Sequence, residues 1–187
     1  MFETFRAKAQ AVSAEVHRVA GRDEATELVL AMLAKEGVSE APGAHALWAE
    51  GPLLAGEDRS ALSARLPGLR FDVTRELAAT ARVGVSEMDW AVANTGTLAS
   101  AADGVAGRLV SMLPPLHVAL LASEKILPDL PALLEKLSPA QTSYLALVTG
   151  PSRTADIERV LTIGVHGPAR LVIIAYDAAH DAPKGRA

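Results

Sequence analysis

The chain has 187 residues, half of them apolar, enough to bury a substantial core as one domain. Eighteen Lys and Arg against 22 Asp and Glu give a formal charge of −4, and aromatic residues make up 4%, so neither a basic field for a nucleic-acid backbone nor a row of stacking platforms is present. Without cysteine, disulfides, thiolate nucleophiles, zinc–thiolate sites and ordinary iron–sulfur ligation are excluded within this chain.

Met1 to Arg6 lack the basic-then-apolar order of a secretory signal, and every long apolar stretch is too interrupted to span a bilayer. The expectation is a cytoplasmic protein with no membrane insertion. Phe5, Val12, Val16 and Val19 recur at helical spacing and predict an amphipathic helix over residues 3 to 20. A second helix, capped by Asp23, carries Leu28, Val29, Met32 and Leu33 and stops at Gly37, a residue suited to a left-handed cap. Residues 1–40 thus read as an N-terminal helical pair packed on a globular unit formed by residues 41–187.

Beyond Pro42-Gly43, a short strand is expected over His45 to Trp48, and Leu69, Phe71 and Val73 alternate as in a half-buried strand. Thr74 caps a short helix. Trp90 to Ala93 and Thr97 to Ala99 are extended segments separated by Asn94-Thr95-Gly96, where Asn and Gly supply the positive φ of a tight turn. A hairpin and a bent loop both fit. His117 to Ala122 reads as a buried strand, Leu130 to Leu137 as a helix, Tyr144 to Val148 as a strand, Thr154 to Leu161 as a helix and Leu171 to Ala175 as a strand. Continuous apolar strands separated by helices predict an α/β fold with a mainly parallel sheet covered on both faces, and a polar tail follows from Asp177.

In open parallel sheets ligands bind beyond the carboxyl ends of the strands. Three segments follow predicted strands: Asn94 to Thr97, Ser123-Glu124-Lys125 and Thr149 to Thr154. In the last, Gly150 permits close backbone approach, Thr149, Ser152 and Thr154 offer hydroxyls, Arg153 offers a guanidinium fork, and free amides at a helix start favour an anion. The same residues also suit a plain helix cap. Asn94, Thr95, Gly96 and Thr97 present amides and hydroxyls to a ligand or form an ordinary turn. Glu124 and His117 are the candidate acid/base groups, although a charge pair at a strand end also suits a solvated edge and a strand-entry histidine also suits packing. Arg108 and His166 are secondary candidates; His166 also suits the carbonyls ending the preceding helix. No histidine spacing matches a metal site, so no bound metal is expected.

Ala93-Asn94-Thr95-Gly96-Thr97-Leu98, Arg108 to His117, Thr149 to Glu158 and Gly164-Val165-His166-Gly167-Pro168 stand in a specific order. Over roughly residues 84 to 176 the chain resembles the lactate-utilization protein C family, whose members carry the LUD domain. The resemblance implies a Rossmann-like three-layer core similar to the sugar-phosphate isomerase and CoA-transferase class. It also implies work beside iron–sulfur proteins in oxidising L-lactate to pyruvate, with clusters in the partner proteins and no cofactor bound by this chain. The position of Asn94 is often acidic in relatives; an amide there cannot act as nucleophile or base, but it can polarise a carbonyl. Two functions are therefore expected: an accessory or substrate-handling component binding a small carboxylate or other anion, or a stand-alone enzyme on the CoA-transferase-like scaffold with Glu124 or His117 as acid/base. A ligand-sensing regulator is a third reading, and a homodimer is compatible with the helical start.

Overall fold

The structure is a computed structural model that describes residues 1–101, 104–137, 142, 144–154, 162–163 and 167–178. In chain order, helix α1 (Phe2–Ala11) leads to strand β1 (Glu15–Val19), α2 (Arg22–Lys35), β2 (Ala46–Trp48), α3 (Arg59–Arg65), β3 (Leu69–Arg70) and α4 (Arg75–Thr80). Then come β4 (Val83–Glu87), β5 (Trp90–Val92), β6 (Thr97–Ser100), α5 (Val105–Met112), β7 (Leu116–Ala122), β8 (Ile126–Leu127) and α6 (Leu130–Leu134). Strands β9 (Ala146–Val148), β10 (Arg153–Thr154), β11 (Thr162–Ile163) and β12 (Arg170–Tyr176) complete the described elements.

Six strands form one sheet in the order β1-β12-β7-β4-β2-β3, and every pair in it is parallel. The expected α/β fold with a mainly parallel sheet is therefore present. Its central strands are apolar throughout because alternate side chains enter different cores. Val83, Val85, Val118, Leu120, Val172 and Ile174 pack with Ala25, Val29 and Leu33 of α2 on one face. On the other face, Ala119, Leu121, Ile173 and Ala175 meet Phe2, Phe5 and Ala9 of α1 together with Met88, Ala91 and Leu98. Burying a side chain such as Phe5, which has no exposed surface, contributes about 1.5–3 kcal/mol.

The amino-terminal helix is shorter than its periodicity predicts. It ends at Ala11, Ser13 takes a left-handed φ of 71°, and Glu15 to Val19 pair with Val172 to Tyr176. Val16 and Val19 satisfy a helical repeat, but β-branched residues beside an open apolar strand edge gain more as a strand. The helical pair is thus interrupted by an edge strand of the main sheet. Asp23 does not cap α2: Gly21 is the cap residue, and Glu24 accepts from the Ala20 amide at 2.9 Å. Gly37 does take the left-handed φ expected of it, 73°, and Thr74 caps α4 by accepting from the Leu77 amide.

Strands β8-β5-β6-β9 form a second sheet. The β5–β6 hairpin is antiparallel, with Val92 opposite Thr97, and β9 runs antiparallel to β6. The Trp90 and Tyr144 segments therefore belong to this second sheet, and the carboxyl-edge rule does not place the loops after them at the main sheet's ligand-bearing edge. Thr154 begins no helix; with Arg153 it forms β10, paired antiparallel with β11. The remainder of the helix expected over residues 155–161 lies outside the described residues.

The two loops selected from the sequence converge on the end of α1. A Cβ built at Gly96 would lie 2.3 Å from the Ala9 amide nitrogen, and one at Gly150 would lie 2.5 Å from the Val12 carbonyl oxygen. Both glycines also have left-handed φ, 69° and 79°. Gly96→Ala and Gly150→Ala are each expected to destabilise the protein by about 2–4 kcal/mol, from backbone strain plus overpacking. Urea unfolding should show the midpoint falling with an unchanged slope.

Candidate functional site

The carboxyl edge of the main sheet is built around the last residues of β4. Ser86 and Glu87 line a cleft of about 180 Å³ together with Glu50, Gly51 and Pro52 after β2, Asp89 just before β5, Ser100 of β6, Gly104 and Gly107 at the start of α5, and Lys125 after β7. A side branch continues past Arg108 and Ser111 toward Ala146 and Val148.

Helix α5 closes the roof because Gly84 has no side chain: a Cβ there would lie 1.9 Å from the Val110 carbonyl oxygen. With Val110 over Gly84 and Gly107 beside Ser86 in the cleft wall, α5 runs against the direction of β4 and brings its first turn to the carboxyl edge. Its cap residue, Gly104, supplies no side-chain hydrogen bond.

The carboxylates in the wall are already engaged. Glu87 accepts from the Leu53 amide at 2.7 Å and from the Tyr176 hydroxyl. Burial and the adjacent Glu87 carboxylate push the Tyr176 phenol up, so it remains the donor. Asp89 accepts from the Ala101 amide at 2.8 Å and from the Ser100 hydroxyl at 3.1 Å. Glu50 pairs with Arg59 at 2.5 Å. Lys125, the basic residue in this lining, has no hydrogen bond or ion pair among the described residues.

Beneath the cleft, His117 is fully buried, and its Nε2 lies 2.8 Å from Ser86 Oγ. It occupies the second position of β7, toward the amino end of the strand and level with Gly84 of β4 and Leu171 of β12, and its ring meets the cleft lining through Ser86. Glu124 sits in a single 3-10 turn, Ser123–Lys125, and is exposed; its neighbour Lys125 is the residue that lines the cleft. Arg108 lines the side branch, with its guanidinium carbon 4.8 Å from the centre of the Tyr144 ring. His166 lies outside the described residues.

A second polar group lies along the second sheet. Thr95 donates to Thr97 Oγ1 at 2.8 Å, and Thr97 Oγ1 lies 2.8 Å from Thr149 Oγ1. Asn94 is exposed, with its backbone amide on the Pro128 carbonyl. Arg153 donates to the Val12 carbonyl at 3.3 Å and to the Ser13 hydroxyl, and the Ser152 amide donates to the Pro168 carbonyl. The structure therefore unites Thr95, Gly96, Thr97, Thr149, Gly150 and Arg153, but around the carboxyl end of α1. Thr97 and Ser100 stand three positions apart in β6, about 10 Å along the strand. Sequence reasoning missed Ser86, Glu87 and Glu50; the strand Val83–Glu87, with polar residues at its carboxyl end, was the available signal.

An open parallel sheet with a helix layer on one face and further helices plus a smaller sheet on the other defines a Rossmann-like three-layer α/β protein. The LUD domain model matches residues 2–176, and the chain belongs to that family. It is 36% identical over 108 residues to lactate utilization protein C of Macrococcus caseolyticus, covering 54% of this chain and 47% of that protein. It is 37% identical over 108 residues to lactate utilization protein C 1 of Bacillus mycoides, covering 54% and 46%. The chain thus spans about half the length of these curated relatives. The crystal structure of a DUF162 family protein from Deinococcus radiodurans superposes with a TM-score of 0.63 at 19% identity, covering 94% of this chain and 95% of that one, and agrees in fold.

Burial pulls the His117 pKa down to about 4, whereas an unfolded histidine titrates near 6.5. Between these values the unfolded chain binds a proton that the folded chain does not. Stability is therefore retained above about pH 6.5 and lost as pH falls to about 4, by roughly 3 kcal/mol for this group. Urea titrations across that window are expected to show this loss in the parent protein and its absence in His117→Gln.

Proposed function

We propose that the chain is an accessory or substrate-handling component of an L-lactate-to-pyruvate oxidation system, and that it holds a small carboxylate in the carboxyl-edge cleft. The observation that carries this reading is Lys125, the basic residue lining a cleft whose carboxylates already have donors. A cavity of about 180 Å³ is smaller than the range typical of drug-sized ligands and suits a short acid. The ligand carboxylate pairs with Lys125 near the uncapped first turn of α5, where free amides favour negative charge.

Family membership and relatives named for lactate utilization support the choice of acid. The chain lacks cysteine, so electron transfer falls to iron–sulfur proteins that receive or deliver the substrate at this edge. Iron–sulfur partners and the small acid together give the cleft its role: it positions a substrate whose oxidation is completed elsewhere.

Ligand binding to the folded state raises its stability. L-lactate or pyruvate at about a hundred times its Kd is expected to add about 2.7 kcal/mol, a rise of roughly 5–10 °C in Tm for a domain of this size. Lys125→Ala should abolish the rise while leaving the unliganded Tm close to that of the parent. No response to either acid would sink the carboxylate reading, and a response confined to CoA or sugar phosphates would favour a stand-alone enzyme.

A further inference from the structure

We propose that Ser86, fixed from below by His117, donates its hydroxyl proton to an oxygen of the ligand in the carboxyl-edge cleft and so selects for an acceptor, a carboxylate or keto oxygen, at that point. This inference rests on the reading of the cleft as a small-acid site and names a group that the reading does not use.

Ser86 is only 4% exposed, yet it lines both the main cleft and its side branch. Its recorded side-chain partner is His117 Nε2, at 2.8 Å. His117 has no exposed surface, and its Nδ1 is buried without a partner among the described residues. One ring nitrogen of a neutral imidazole carries a proton and the other accepts. A proton on Nδ1 would leave a buried N–H donor unsatisfied, a rare and costly arrangement, whereas a bare Nδ1 leaves only an acceptor unmatched. The proton therefore belongs on Nε2, which donates to Ser86 Oγ.

That direction determines what Ser86 can do. With its oxygen accepting from His117, its own proton is not used in that bond and has the cleft as its open side. Burial pulls the His117 pKa down to about 4, so the ring stays neutral and the direction of donation holds through the physiological range. The opposite tautomer would spend the Ser86 proton on His117 and leave no donor for a ligand.

A core Ser–His hydrogen bond can also serve packing alone, and two measurements separate the roles. Nitrogen-15 NMR of uniformly labelled parent protein without ligand is expected to show His117 protonated on Nε2; protonation on Nδ1 overturns the inference. Because no ligand is present, this result stands whether or not the small-acid reading holds, and it does not depend on any variant folding. Calorimetric titration of propionate, L-lactate and pyruvate into the parent then tests the reading itself, and the same titrations into Ser86→Ala test the inference. Affinity is expected to fall by about tenfold to a hundredfold, as for a lost hydrogen bond to a charged group. An equal loss for all three acids assigns the contact to the carboxylate, and a loss confined to pyruvate assigns it to the keto oxygen. Undiminished binding of all three by folded Ser86→Ala overturns the inference.

Discussion

The backbone of α5 lies directly on β4 because residue 84 is glycine. Any side chain there would enter the Val110 carbonyl, and close-packed interiors do not absorb such an intrusion without moving an element. The contact sets the height of α5 over the sheet. Its first turn is thereby carried to the carboxyl edge, and Gly107 joins Ser86 in one cavity wall. Gly84 is also level with His117 across the β4–β7 pair. Closure of the roof thus follows from a missing side chain that lies level with the buried imidazole.

The edge below that roof is tied together by Glu87. Its two oxygens take donors from β12, through the Tyr176 hydroxyl, and from the chain after β2, through the Leu53 amide. The Arg22 guanidinium reaches the Pro52 carbonyl in the same region, at 6.0 Å from the Tyr176 ring centre. Half-buried carboxylates gain from such donors, whose hydrogen bonds replace lost water contacts. The network supports the proposed reading of the cleft, because acids with donors in place repel an anion less than unpaired ones. In that reading, a wall containing Glu50, Glu87 and Asp89 coexists with Lys125 as the counter-charge to a ligand acid.

How much of this was legible in the sequence depended on whether the deciding information was local. The apolar runs of β7 and β12 required burial on both faces, and they form the centre of the parallel sheet. Asn94-Thr95-Gly96 carried its turn in its own residues, with Gly96 at positive φ. Val16 and Val19, by contrast, fit both a helical stripe and a strand, and the edge of β12 decided between them. The Tyr144 to Val148 segment reads as a strand in either sheet; only tertiary pairing with β6 assigns it to the second one. Lys125 was legible as a residue following a buried strand. Ser86 was not, since its importance comes from a histidine 31 positions away and from a helix resting on its neighbour's neighbour.

The loop Thr149 to Arg153 shows why a local pattern can specify chemistry without specifying its recipient. A left-handed glycine, hydroxyls and a guanidinium are what a bound anion requires, but the carboxyl end of a helix presents an equivalent target: carbonyl oxygens at the negative end of the macrodipole. Gly150 meets the Val12 carbonyl, and Arg153 donates to that same oxygen and to Ser13. Gly96, from the other loop, meets the backbone at Lys8 and Ala9. Two loops separated in sequence thus bind one helix end as they would bind a ligand. This attachment positions Phe2, Phe5 and Ala9 against the sheet, on the same face as the Ser86–His117 pair. In this structure the loops selected as a ligand site anchor the helix that covers this face of the sheet.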